Sequence, residues 1–222
     1  MILYTAKKGV YYNLEDFRSD LSDLKENGFT NKIYINMTNR CSCSCTFCLR
    51  GLKDFDEHNS LWLKEEPTVE EVKKAFGKYD WSGVKEIVFC GFGEPTMRLE
   101  DICEVATWLK EQHPEIPIRL NTNGLSDLVF EKPTAHYFDG IIDTVSISLN
   151  SSSAEKYLEI TRNRYGLASY DAMLSFAKDC QNYIPNVVMT VVDVIGQEEV
   201  EACRKVCEKH GLALRIRPYE AN

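Results

Sequence analysis

The chain has 222 residues, 44% of them hydrophobic and 27% charged, and 26 Lys and Arg against 34 Asp and Glu give a formal charge of −8. That acidic balance argues against a broad nucleic-acid-binding surface or a basic membrane patch, and the length suits one substantial core. The opening "MILYTAKKGVYYN" lacks the apolar core and cleavage site of a secretion signal, and no apolar run approaches the roughly 18 residues of a membrane span. The expectation is a cytoplasmic protein with a single domain over 1–222: an N-terminal strand/helix extension over 1–30, then a core over 31–218. Nine cysteines in such a compartment read as reduced thiols, metal ligands or catalytic groups rather than disulfides.

In chain order, "NLEDFRSDLSDLKENG" spaces Leu14, Phe17, Leu21 and Leu24 at helical intervals before Gly28. It predicts an extra helix over 13–28. Six β-branched runs then read as strands: 32–37, 85–90, 117–122, 143–149, 186–194 and 212–217. Between them lie helical patterns. Thr68 and Glu71 form a capping box in "PTVEEVKKAF". Leu99, Ile102, Val105, Ala106 and Leu109 make one stripe, "YDAMLSFAKDC" reads likewise, and "GQEEVEACRKVCEKHG" closes at Gly211. The alternation predicts a parallel sheet with crossover helices. Six units are too few for a closed eight-stranded barrel, so an open sheet or partial barrel remains, with its chemistry at the C-terminal strand ends.

The first strand runs into "CSCSCTFCLR", where Cys41, Cys45 and Cys48 form C-x3-C-x2-C around Cys43. A structural zinc site normally takes two ligand pairs held apart by a loop, and no second C-x2-C follows. A redox dithiol at "CTFC" leaves Cys41 unexplained. An iron–sulfur cluster wants thiolates wrapped closely around a compact body. Three protein ligands on a 4Fe–4S cluster would leave one iron open to a substrate or cofactor. Cys43, two residues from both Cys41 and Cys45, is expected to point away from a cluster those two hold.

The spacing, with Phe47 just before the last cysteine, resembles the signature of radical S-adenosylmethionine (SAM) enzymes. Further motifs at strand ends support the resemblance. "VFCGFGEPT" is similar to the family's G-G-E-P element, with Phe92 in place of a glycine. The resemblance implies that Gly91, Gly93 and Glu94 grip the SAM amino group. Alone, such a turn is a common strand-to-helix corner. "LNTNG" and "SISLN" are corners that Asn and Gly favour anyway; the family reads them as reaching the ribose and methionine of SAM, through Asn121, Asn123, Ser148 and Asn150. Arg162, ahead of Arg164, is a candidate for the SAM carboxylate, with a solvated helix end as the alternative. Arg215 and Arg217 alternate along the last strand, and Arg217 and Tyr219 are candidates to border the adenine or an anionic substrate. Cys90, Cys103, Cys180, Cys203 and Cys207 read as core thiols.

The resemblance covers roughly residues 30 to 218 and implies a (β/α)6 partial TIM barrel of parallel strands. The wording of the motifs looks most like the TatD-associated radical SAM subgroup. It implies a 4Fe–4S cluster and SAM as cofactors, and an external one-electron reductant of flavodoxin or ferredoxin type. The substrate is unidentified; the open side of a six-strand barrel would suit a large one such as a peptide, a protein or, less favoured by the acidic charge, RNA. The rival reading is a non-catalytic iron–sulfur or zinc protein, a redox sensor or electron carrier.

Overall fold

The computed structural model describes residues 1–17, 21, 24–52 and 60–218. The chain divides into two compact units, residues 1–40 with 53–120 and residues 41–52 with 121–221.

The first unit opens with a hairpin. β1 (Leu3–Lys7) pairs antiparallel with β2 (Val10–Asn13), and the two-residue turn puts Lys8 (φ 49°) and Gly9 (φ 73°) in the left-handed region. Both central residues with positive φ make a turn whose twist matches the strands it joins. β1 also pairs antiparallel with β3 (Lys32–Ile35), which runs parallel to β4 (Glu86–Phe89), and β4 parallel to β5 (Ile118–Thr122) as far as Leu120. At the start of these strands Glu86 of β4 bonds Lys32 of β3 at 2.7 Å and Arg119 of β5, fixing their register with charge.

Of the helix expected over 13–28, the described residues show turns and no α-helix. Leu14–Asp16 is a single 3-10 turn capped by the Asn13 side chain, and Phe17 is already extended (φ −98°, ψ 154°); residues 18–20 and 22–23 lie outside the described ones. The apolar stripe does its expected work, because Leu14, Leu21 and Leu24 are buried. Tertiary contacts decide its geometry: Phe17 meets Phe29 edge-on at 5.0 Å, and Gly28 turns the chain with φ 78°.

After β3 the chain passes through α1 (Leu49–Leu52), which belongs to the second unit, and returns to the first for α2 (Val69–Phe76). Thr68 and Glu71 form the expected capping box, with Glu71 N–H donating to Thr68 Oγ1 at 3.2 Å and Thr68 N–H to Glu71 Oε2 at 2.8 Å. α3 (Leu99–Gln112) buries the whole predicted stripe.

The second unit holds α4 (Ser126–Phe130), β6 (Thr144–Ser148), α5 (Ala154–Thr161), α6 (Ala168–Cys180), β7 (Asn186–Val192), α7 (Gln197–His210) and β8 (Ala213–Arg217). β6, β7 and β8 are parallel neighbours in that order. Their register sets Ser146, Ser148, Thr190, Arg215 and Arg217 on one face, while Val145, Ile147, Met189 and Val191, all buried, occupy the other. α7 ends as predicted at Gly211, which takes the left-handed φ of 65° that a Cβ would penalise. All six predicted core strands are present. The fold is α/β, with the parallel strands and crossover helices of a partial TIM barrel. Among the described residues, no helix is long and apolar enough to cross a membrane.

Candidate cofactor site

The cysteine loop belongs to the second unit, and its backbone is held there from two sides. α5 ends with carbonyls that no residue of the helix can reach. Ser44 N–H donates to Thr161 O at 2.8 Å and Thr46 N–H to Ile160 O at 2.9 Å, so the loop satisfies them. Arg162 then leaves the helix in the left-handed conformation (φ 46°), its own N–H closing on Leu158 O. Within the loop, Cys48 N–H donates to Cys45 O at 3.1 Å and Cys43 N–H to Cys41 Sγ at 3.4 Å.

The second hold is Asn123. Its Nδ2 lies 3.1 Å from Ser42 Oγ, 3.5 Å from Cys43 Sγ and 3.9 Å from Cys41 Sγ. All nine cysteines are free thiols. Cys41, Cys45 and Cys48 are half-buried, and Cys43 is only 5% exposed. Its thiol hydrogen-bonds with Cys41 and Cys45, which together with burial raises its pKa well above the usual thiol value. The same bond from Cys43, helped by the Arg50 charge, lowers the pKa of Cys45 against the pull of burial. Burial raises that of Cys48, with Arg50 opposing.

The glycine–carboxylate loop belongs to the first unit. A Cβ on Gly91 would collide with the Oδ1 of Asn36, and one on Gly93 with the backbone carbonyls of Thr38 and Arg40. Only glycine lets these strands' ends come so close. Glu94, 4% exposed, donates its N–H to Arg40 O at 2.7 Å. Its Oε1 accepts from Thr96 N at 3.1 Å and Thr96 Oγ1 at 2.8 Å, capping the 3-10 turn Pro95–Arg98. Phe92 is buried, with Trp62 edge-on to it at 5.4 Å. The substitution at this position is therefore absorbed by an aromatic contact.

The segment 36–40, which leads into Cys41, carries residues that sequence reasoning passed over. Asn36 donates to Leu61 O at 2.6 Å, and Asn39 exchanges two bonds with the backbone of Leu63 (2.7 and 3.1 Å). Arg40 pairs bidentately with Glu66 at 3.0 and 2.9 Å, and Thr38 also donates to Glu66. Burial pushes the Glu66 pKa up, and the Arg40 and Thr38 bonds outweigh it, leaving the group below its usual value. Two asparagines and an arginine at a strand end were the available signal; their partners, some 25 residues on, were not visible.

Of the remaining predicted residues, the second unit holds Asn121, Ser148, Asn150, Arg162 and Arg217. The Oδ1 of Asn121 is buried with no hydrogen-bond partner among the described residues, an acceptor left over at a strand end. Asn150 is buried at φ 62°, a conformation Asn tolerates better than most residues. Phe47 and Ser148 are half-buried, while Arg162 and Arg217 are exposed. Arg215 reaches across to Ser146 Oγ at 2.8 Å. Tyr219 lies outside the described residues. Cys180, Cys203 and Cys207 are buried as expected, whereas Cys90 and Cys103 are half-buried.

The donor set of the loop is thiolate sulfur, the ligand type of iron–sulfur clusters. Among the described residues, no three His, Cys, Asp or Glu side chains are grouped to hold one metal ion. A cubane takes each thiolate at a different iron, which a spaced, backbone-fixed thiol loop supplies. In the second unit, the buried Asn121 Oδ1, unpartnered among the described residues, suits a polar ligand. The fold is that of an α/β protein of the partial-barrel class.

The chain belongs to the radical SAM superfamily, whose family model matches residues 35–207. Its cofactors are accordingly a 4Fe–4S cluster and SAM. Over 193 residues it is 29% identical to the GTP 3′,8-cyclase of Corynebacterium glutamicum, covering 82% of this chain and 47% of that protein. Over 128 residues it is 30% identical to the probable GTP 3′,8-cyclase of Methanocaldococcus jannaschii, covering 58% of this chain and 39% of that one. The chain thus spans about half the length of the curated relatives it matches. In fold it is similar to the crystal structure of a radical SAM methyltransferase from Sphaerobacter thermophilus, at TM-score 0.56 and 16% identity, covering 84% of this chain and 55% of the other.

Proposed function

We propose that this chain is a radical SAM enzyme in which Cys41, Cys45 and Cys48 hold the cluster and leave one iron open for SAM. The observation that carries the reading is the C-x3-C-x2-C loop itself: three half-buried thiols on a backbone pinned to the end of α5, in a chain of this superfamily. When bound, the cluster and SAM supply one-electron cleavage of the sulfonium to a 5′-deoxyadenosyl radical that takes hydrogen from the substrate.

The protein's part is to bind and orient. Gly91 and Gly93 allow close approach, and Glu94 offers its carboxylate to the SAM ammonium. Asn121, Ser148 and Asn150 serve the ribose and methionine as acceptors and donors, the Asn121 Oδ1 being already desolvated and, among the described residues, without a partner. Arg162 serves the SAM carboxylate, while Phe47 and Arg217 border the bound cofactor. Electrons come from an external flavodoxin- or ferredoxin-type donor, in the cytoplasm.

For the substrate, the GTP 3′,8-cyclase relatives make a purine nucleoside triphosphate the first candidate, ahead of the peptide, protein or RNA that an open-sided barrel would suit. The test is anaerobic reduction with dithionite in the presence of SAM and ribose-deuterated GTP. Deuterium in the released 5′-deoxyadenosine supports both the reaction and the substrate. 5′-Deoxyadenosine without deuterium rejects the nucleotide and keeps the enzyme. A loaded cluster that releases none supports the non-catalytic carrier.

A further inference from the structure

Asn123 sits at the corner after β5, and its side chain is fixed at both ends. Oδ1 accepts the Leu125 N–H at 3.0 Å, so the amide can stand only one way, because a backbone N–H must face the oxygen. Nδ2 is thereby aimed at the cysteine loop, at Ser42 Oγ and the sulfurs of Cys43 and Cys41.

The corner beneath it is rigid. Thr122 Oγ1 takes the Gly124 N–H at 3.0 Å. Gly124 has φ 76°, and a Cβ there would lie 2.8 Å from Ile147 Cγ2 and 3.0 Å from Met173 Cγ. Contact with β6 and α6 thus leaves this turn one position, and Asn123 inherits it.

We infer that Asn123 is a positioning residue for the cysteine loop and an N–H donor to its sulfur, not a contact for the ribose or methionine of SAM. Asparagine is the residue this geometry requires: Oδ1 must accept from the turn while Nδ2 donates to the loop. Aspartate keeps the first bond and loses the second. The inference rests on the enzyme reading only for its consequence, which is electronic. Hydrogen bonds to cluster sulfurs stabilise the more negative, reduced state and so raise its potential. A donor placed on Cys41, a ligand, acts directly. One placed on Ser42 and Cys43 fixes the loop between two ligands.

Two measurements on Asn123→Ala and Asn123→Asp test this. In the apoprotein, the alkylation rate of Cys43 by iodoacetamide reports the hold on the loop, with or without a cluster. It should rise several-fold in both variants. In the reconstituted protein, a redox titration followed by electron paramagnetic resonance should place the cluster's midpoint potential below that of the wild type in both, while the SAM dissociation constant stays within about twofold. An alkylation rate unchanged in both variants overturns the inference, and so does an unchanged potential with SAM affinity lost tenfold. A wild-type protein that binds no cluster refutes the enzyme reading, and the alkylation rates then decide the role of Asn123 alone.

Discussion

Glu94 is bonded before any ligand arrives. Its Oε1 caps the turn through Thr96 and its backbone N–H is tied to Arg40, so the carboxylate is held in place. Glu94→Gln keeps an oxygen for Thr96 and removes the charge. The expected result is unchanged iron content with SAM affinity lower by about tenfold or more, roughly 1.4 kcal/mol for a lost charge-assisted bond, read by calorimetry. Equal affinity would remove Glu94 from the site. The cysteines give a second residue-scale prediction. Alanine at Cys41, Cys45 or Cys48 should abolish the brown absorbance of the cluster, while Cys43→Ala keeps it. Loss at Cys43 with retention at Cys41 would reassign the ligands. At this scale the sequence showed which residue types mattered, because ligand spacing is local. It did not show that the Asn123 amide meets the cysteine loop some 80 residues earlier, or that Asn36 fills the space beside Gly91. Those contacts exist only once the strand ends are assembled.

At the scale of elements, period and caps were enough for most of the chain. The stripe of α3, the capping box of α2 and the glycine stop of α7 follow from side chains within one or two turns of each other. The region before β3 was different. Its apolar spacing fits a helix; among the described residues it holds a 3-10 turn at Leu14–Asp16, with Leu14, Leu21 and Leu24 buried, so periodicity told which residues go inside. The hairpin ahead of it was marked only by "KKG", a weaker turn signal than Asn-Gly.

Glu199 gives this scale its prediction. From α7 it accepts from Ser152 N–H at 2.7 Å and Ser151 Oγ at 3.3 Å, and pairs with Lys156 of α5. Burial works against its charge. The Lys156 and Ser152 bonds overcome that and bring its pKa down to about 2 from 4.5. A depressed carboxylate stabilises the fold fully above its unfolded value and loses that contribution as pH falls through its folded one. Glu199→Gln should therefore lower the urea midpoint at pH 7, and the gap to wild type should close between about pH 4.5 and 2. A gap that is constant across that window would mean the charge is not what holds α7 to the segment between β6 and α5.

For the whole molecule, the family match runs from the end of β3 into α7 and takes in both motif loops. The strand–helix alternation was legible because each strand is a short β-branched run closed by a polar corner, and each helix carries its own start signal. The substrate was not, since the chain matches about half the length of its curated relatives and no side chain in it spells out a particular carbon. The proposal at this scale is that three sulfurs from the protein hold a cluster of four irons and that SAM completes it. Mössbauer spectroscopy of protein reconstituted with 57Fe tests this directly. On adding SAM, the account predicts that one iron in four shifts to parameters of higher coordination while the other three stay as they were. Four equivalent irons, unmoved by saturating SAM, would contradict it.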